Sequence, residues 1–242
     1  MTAPTTPTTT RRDPEVLSAL AAEGARELGA DASADDVAAW AARTFPGSLA
    51  VACSMQDAVV PAVVARHAPG VDVLFLDTGY HFAETHGTRD RVAAELDVRV
   101  VDVRPTLSVT QQDIRYGPRL HERDPAACCR MRKVDPLRAA LGGYECWVTG
   151  VRREEGPTRA DTPLVQWDQQ FGLVKVNPLA AWTVDELVGY AAEHQVPVNL
   201  LLSDGYPSIG CEPCTRRVEP GADPRSGRWA GFAKTECGLH PS

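Results

Sequence analysis

Seven cysteines carry most of the chemical information in this 242-residue chain, and their spacing is uneven: Cys53, Cys128, Cys129, Cys146, Cys211, Cys214 and Cys237. In a chain read as cytoplasmic they suit metal or redox chemistry better than a disulfide framework. Cys211-x-x-Cys214 has metal-type spacing, which alone fits zinc, a dithiol redox pair or chance. Cys128-Cys129 is less common. Asp124-Pro125 predicts a helix opening just before it, as cap and first-turn proline. Adjacent side chains on a helix point about 100° apart, so two such thiolates reach neighbouring corners of a large cluster more readily than one small ion. Spacing alone leaves the four thiols open between an iron–sulfur cluster, a zinc ion and uncoordinated cysteines. Cys53 and Cys146 fall at the end of one predicted buried strand and within another, where a thiol acts as a small hydrophobe.

Cys237 stands apart, between Glu236 and Gly238 near the end of the sequence. Lys234 and His240 lie three residues to either side, with Arg225 and Arg228 upstream. Nearby cations favour the thiolate, which is the reactive form. From 215 to 240 five basic residues (Arg216, Arg217, Arg225, Arg228, Lys234) face three acids (Glu219, Asp223, Glu236). Such a tail suits a small anion, or is a solvated charged surface. Gly238 and the absence of regular patterning allow it to open and close over a substrate.

These groups need a scaffold. Helices are predicted over 14–28, with Asp13 as cap and Pro14 at the first position, and from Ser33 to a stop at Pro46-Gly47, with Asp36 completing a capping-box pattern. Val37, Trp40 and Ala41 then share a face. Strands at 49–53, 71–76, 98–103 and 145–149 alternate with helices at 58–67 and 82–96. A further helix opens at Thr183 with Glu186, presenting Val184, Leu187, Val188 and Ala191 on one side. This alternation predicts an α/β fold: a single domain with a mostly parallel sheet flanked by helices and a loop-rich C-terminal tail. The expected division is a disordered N-terminus over 1–12, an α/β domain over 13–210, and a tail over 211–242, packed on the same domain, that carries Cys211, Cys214 and Cys237. Ligands of open parallel sheets sit beyond the carboxyl ends of the strands. Two loops there have suitable chemistry. Ser54-Met55-Gln56-Asp57 leads into a helix and offers N–H groups and a hydroxyl to an anion. Asp77-Thr78-Gly79 offers close backbone approach at Gly79. Each is also ordinary turn sequence, and neither carries a Walker-type or dinucleotide-fold fingerprint.

A hydrophobic content of 43% is enough for one ordinary core. No apolar run approaches the roughly 18 residues of a membrane span. Arg11-Arg12 is followed by Asp13-Pro14-Glu15 rather than an apolar stretch, which argues against an export signal and for a cytoplasmic protein. A net charge of −7 argues against a nucleic-acid partner.

Taken together, the chain from about Phe45 to His240 resembles the phosphoadenylyl/adenylyl sulfate reductase family, whose fold resembles that of pyrophosphatase-type ATP enzymes. The landmarks are Ser54-Met55-Gln56-Asp57, Leu76-Asp77-Thr78-Gly79-Tyr80, Cys128-Cys129-Arg130-Met131-Arg132-Lys133-Val134, Thr149-Gly150-Val151-Arg152-Arg153, Gly210-Cys211-Glu212-Pro213-Cys214 and Lys234-Thr235-Glu236-Cys237-Gly238-Leu239-His240. The resemblance is strongest to the bacterial adenylyl sulfate branch. It implies a 4Fe–4S cluster on Cys128, Cys129, Cys211 and Cys214, and Cys237 as the catalytic nucleophile. It implies reduction of adenosine 5′-phosphosulfate to sulfite through an S-sulfocysteine, with thioredoxin as the dithiol reductant. Lys133, Arg159, Arg225 and Arg228 match positions that hold the phosphosulfate. Ser54, Gln56, Asp77, Thr78, Gly79 and Gly150 complete the expected substrate site, with His240 ordering the closed tail. Two departures fall near it: Glu155-Gly156, where relatives often carry Gln-Ser, and Trp229-Ala230-Gly231 in place of a Trp run. The rival readings are reduction of the 3′-phosphorylated nucleotide, an ATP-using adenylyltransferase on the same fold, and a zinc-stabilised binding module.

Overall fold

Valine-rich runs become the strands of one six-stranded sheet, ordered β3-β2-β1-β4-β6-β5, in a computed structural model that describes residues 11–232, 234 and 236–239. The strands are β1 (Leu49–Ala52), β2 (Val71–Leu76), β3 (Val98–Val103), β4 (Cys146–Thr149), β5 (Val165–Asp168) and β6 (Leu173–Val176). All neighbours run parallel except β5 and β6 at one edge. The expected α/β class and mostly parallel sheet are observed. The β5–β6 hairpin is an addition. Its turn is held by Asp168, whose Oδ1 accepts from the N–H groups of Gln170 and Phe171, and by Gly172 at φ 70°.

The helices are α1 (Pro14–Leu28), α2 (Ala34–Thr44), α3 (Val59–Ala65), α4 (Ala83–Glu95), α5 (Val109–Tyr116), α6 (Leu120–Arg123), α7 (Pro125–Cys129), α8 (Asp135–Leu141) and α9 (Val184–Glu193). Thr183 and Glu186 form the reciprocal capping box at α9, and the Ser33 hydroxyl accepts from the Asp36 N–H at α2. Asp13 occupies the cap position of α1 without a side-chain capping bond, leaving Pro14 to set the first turn. The apolar face expected of α9 is narrower than its pattern. Leu187 and Ala191 are buried, but Val184 and Val188 stay 50% and 57% exposed. The helix rests against α3 at the margin of the domain, so only one edge of its stripe is covered.

Strand residues alternate between two cores, as the two-residue period of a pleated strand requires. Leu49, Val51, Val73, Phe75, Cys146 and Val148 face the larger one. Ala50, Leu74 and Trp147 face the other, under α8. Cys146 is fully buried, as its strand position predicts. At the end of segment 1–12, Arg11 donates to the Gly172 carbonyl, and Arg12 Nε and Nη2 both donate to Oε2 of Glu145 (2.9 and 2.6 Å), the residue before β4. Residues 1–10, expected to be disordered, and His240 lie outside the described residues.

Candidate active site

Between β1 and β4 the sheet reverses its winding, the place where open α/β sheets hold ligands. A cavity of about 200 Å³ opens there, at the carboxyl ends of β1, β2 and β4. Ser54, Gln56, Lys133, Gly150, Arg159, Arg225, Arg228 and Cys237 all line it. A chain that spreads these residues over 184 positions (54 to 237, counted inclusively) brings them to one pocket.

The loop after β1 is held in a strained shape. Met55 is fully buried with φ 59°, a left-handed conformation unusual for a side chain of its size. Asn199, buried in the loop after α9, holds it by donating from Nδ2 to the Met55 carbonyl at 3.2 Å. The Gln56 Oε1 accepts from the Ile209 N–H at 2.9 Å, so part of its side chain serves as a strut to segment 208–210. Arg228 packs on that segment, donating to the Ile209 carbonyl and the Ser208 hydroxyl at 3.2 Å each. A Cβ at Gly210 would overlap the Arg228 guanidinium as it is placed, so a side chain there would displace it.

The four remaining site cysteines lie beside this pocket. Cys128, Cys129, Cys211 and Cys214 line one small cavity with Lys133, Tyr80 and Trp229. Among the described residues no three His, Cys, Asp or Glu side chains are set to hold a single metal ion. Asp124 caps α7 by accepting from the Ala127 N–H at 2.9 Å, and so sets the direction of the cysteine pair. Immediately afterwards the chain widens into a π-turn over Arg130–Val134. Such turns displace side chains from the α-helical register and recur at functional sites. Here the turn lets Lys133 line both the cysteine cavity and the nucleotide-end pocket. Burial, and then the charges of its three cysteine neighbours, push the Cys128 thiol up to about 12.

The Asp-Thr-Gly loop after β2 differs from expectation. Asp77, Thr78 and Gly79 do not line the pocket. The fully buried Thr78 places its Oγ1 3.3 Å from the Cys211 sulfur, and its carbonyl accepts from Arg132 Nε at 2.5 Å. Asp77 accepts from the Gly79 N–H and from Arg104. Gly79, at φ 73°, lies where a Cβ would crowd Arg132 and Val109. The loop therefore braces the cysteine site, while Phe75, Leu76 and His81 around it reach the pocket.

The tail crosses the mouth. Cys237 lines the pocket, Gln170 Nε2 donates to the Gly238 carbonyl at 2.9 Å, and Leu239 packs against the core that contains Trp147. Gly238 has φ 85°, which a side chain would resist. Glu236 pairs with Arg159 and Arg225.

Residues 48–217 match the model of the phosphoadenosine phosphosulfate reductase domain. The chain belongs to this family. It is 58% identical to an adenosine 5′-phosphosulfate reductase of Mycolicibacterium smegmatis over 93% of this chain and 95% of that protein. It is 55% identical to a protein of the same name from Streptomyces coelicolor, covering 95% and 97%. Among solved structures it resembles the phosphoadenylyl-sulfate reductase of Candida auris with a TM-score of 0.66 and 26% identity, over 87% of this chain and all of that one. The FMN adenylyltransferase of Candida glabrata shares only the fold, at 11% identity and a TM-score of 0.54, covering 88% of this chain and 78% of that one.

Some pocket residues were given no role from sequence: His81, Thr149, Arg152, Ser208 and Trp229. Arg152 lay in a quoted landmark and is only 7% exposed, so its charge was the available signal. Trp229, with φ 48°, stood out in sequence only as the start of the altered Trp run: its ring lies 4.6 Å from the Arg228 guanidinium carbon and 5.5 Å from Lys234 Nζ. Cys53, read as core, is half-buried at the pocket, and burial raises its thiol to about 12.

His81 has a measurable consequence. Its Nε2 lies 2.7 Å from the Leu76 carbonyl and its ring stacks on Phe75. Burial, helped by the positive charge of Lys133 and by His86, lowers its pKa to about 4, against the opposing pull of the Leu76 carbonyl and Asp77. The unfolded chain therefore takes up a proton near pH 6.5 that the folded protein refuses. Stability is full above that pH and is lost as pH falls toward 4. Between pH 7 and pH 5 the His81 share of that loss is about 1–2 kcal/mol. His81→Gln flattens the pH dependence of the denaturant midpoint by that amount; an unchanged slope would mean the imidazole is not held neutral.

Proposed function

We propose that this chain reduces adenosine 5′-phosphosulfate to sulfite and AMP for sulfate assimilation in the cytoplasm, with Cys237 as nucleophile and thioredoxin as reductant. The observation that carries this reading is the Cys237 thiol and several cations meeting in a single pocket at the nucleotide end of the sheet. The Cys237 thiolate attacks the sulfate sulfur, the bond from sulfur to the phosphate oxygen breaks, and AMP leaves with that electron pair. An S-sulfocysteine remains. A thioredoxin thiolate then attacks Cys237 Sγ, and the bond to the sulfonate sulfur breaks toward sulfite. The second thioredoxin thiol resolves the mixed disulfide and restores Cys237. Both electrons come from the dithiol.

The substrate carries negative charge on the sulfate and phosphate oxygens, which repels a thiolate. Lys133 and Arg228 line the same pocket and offset that charge as it builds up in the transition state. Ser54 and the N–H groups of its loop, with Gly150 at the end of β4, bind the nucleotide. Asp77, Thr78 and Gly79 serve this site indirectly, through the cysteine cavity. His240 is assigned to ordering the closed tail. Four cysteines around one cavity are the donor set of a four-thiolate cluster, so Cys128, Cys129, Cys211 and Cys214 are assigned to a 4Fe–4S group. When bound, that group supplies structural support and a local field beside Lys133.

A competition assay with the two nucleotides tests the substrate. Adenosine 5′-phosphosulfate is expected to be preferred by roughly a hundredfold or more in kcat/KM. An unpaired buried phosphate costs on the order of 3 kcal/mol, and the cysteine quartet marks the branch of the family without that phosphate. Preference for the 3′-phosphorylated nucleotide overturns the assignment.

A further inference from the structure

The family resemblance implies that Arg159 and Arg225 hold the substrate, yet in the folded chain both are engaged by its own carboxylates. Glu236 Oε1 accepts from Arg159 Nε at 2.8 Å and Oε2 accepts from Arg159 Nη2 at 2.9 Å, a bidentate pair. Arg225 Nη2 adds a third bond to Oε2 at 3.2 Å, and the Thr158 hydroxyl a fourth to Oε1 at 3.3 Å. The third nitrogen of Arg159 donates to Glu155. The side chains of Arg159 and Glu236 are 10% and 14% exposed, so this pair is shielded from solvent in a way surface ion pairs are not. The mechanism above gives Glu236 no role.

We propose that Glu236 is a positioning residue: its carboxylate clasps Arg159 and Arg225 and thereby seats Cys237 at the pocket. The proposal rests on Cys237 being the nucleophile. Seating a loop costs backbone entropy at every residue it orders, so the tail needs firm anchors. Among the described residues the end of the tail is also held by one hydrogen bond to the Gly238 carbonyl, by the partly buried Leu239 and by Lys234 over the Trp229 ring. A shielded bidentate ion pair one residue from the thiol is stronger than any of these. The charges support the same division of labour. Arg159 and Arg225 meet Glu236 and Glu155, and the four cancel. Lys133 and Arg228 form no ion pair with a carboxylate among the described residues, which leaves their charge for the sulfate and phosphate. Arg159 and Arg225 then act on the reaction mainly through the clasp. Glu155, one of the departures from the family pattern, acquires a role as the second acceptor for Arg159.

The test separates the two half-reactions of the loaded enzyme. Single-turnover sulfonation of Cys237, followed by mass spectrometry without reductant, is expected to slow roughly 10- to 100-fold in Glu236→Gln. AMP affinity stays within about twofold, since AMP lacks the sulfate and the clasp is not its ligand. Release of sulfite from preformed adduct by reduced thioredoxin does not slow, because a looser tail exposes Cys237 Sγ. Alkylation of Cys237 by iodoacetamide, a neutral reagent, speeds up. Arg159→Leu reproduces these effects, and the double variant adds little further loss, as expected of partners in one contact. A wild-type sulfonation rate in Glu236→Gln overturns the clasp. So does strong loss of AMP affinity in Arg159→Leu alone, which would make Arg159 a ligand of the nucleotide. Absence of any adduct on wild-type Cys237 would instead sink the nucleophile, and the alkylation rates would still report whether Glu236 holds the tail.

Discussion

Cys237→Ser is expected to keep its iron and its AMP affinity while losing sulfite production by at least about a thousandfold, because a serine hydroxyl stays protonated near neutral pH and a cysteine is partly thiolate. The residue belongs to neither cysteine pair and sits on a tail held by contacts of its neighbours, so the substitution spares the fold. Wild-type protein incubated with adenosine 5′-phosphosulfate and no reductant should carry a sulfonate adduct on the peptide containing Cys237. Reduced thioredoxin should remove the adduct and release sulfite. Two other thiols provide the control. Cys53 lines the same pocket but is held protonated by burial, and Cys146 is fully buried on β4. An adduct on either, or turnover by Cys237→Ser, places the nucleophile elsewhere.

Serine at Cys128, Cys129, Cys211 or Cys214 is expected to bleach the protein and abolish activity. Anaerobically purified wild type should be brown, with about four irons per chain. The effect is large because the cavity lies where the chain's distant parts converge. Cys211 touches Thr78 at the end of β2, the Glu212 N–H donates to the Tyr80 carbonyl at 2.7 Å, and the Trp229 N–H donates to the Cys214 carbonyl at 3.0 Å. Loosening one corner displaces Lys133, which faces both cavities. Stoichiometric zinc without iron, after anaerobic expression with iron supplied, would falsify the cluster assignment and favour a zinc-stabilised module.

Much of the frame was legible in the chain. The limits of β2 and β3 match the valine-rich runs, and α1 begins at Pro14 and ends before Gly29 as its capping residues indicate. These signals are local: a two-residue alternation, a proline that fixes φ, a hydroxyl that reaches an N–H three residues on. The paired cysteines were equally legible, because thiols are scarce and their spacing is printed in the sequence. The direction a loop side chain takes is a different kind of fact. Asp77-Thr78-Gly79 has the composition of a ligand loop, but Thr78 turns to a cysteine 133 residues away. Glu236 looked like a neighbour of the nucleophile, and only the folded chain brings it to Arg159, 77 residues earlier. The π-turn that lets Lys133 face two cavities depends on what packs around it, as do the half-covered face of α9 and the β5–β6 edge. Sequence period and residue type determined which elements form and which groups can do chemistry. Long-range packing decided which of those groups meet, because burial and hydrogen-bond pairing are satisfied by partners that proximity in the chain does not supply.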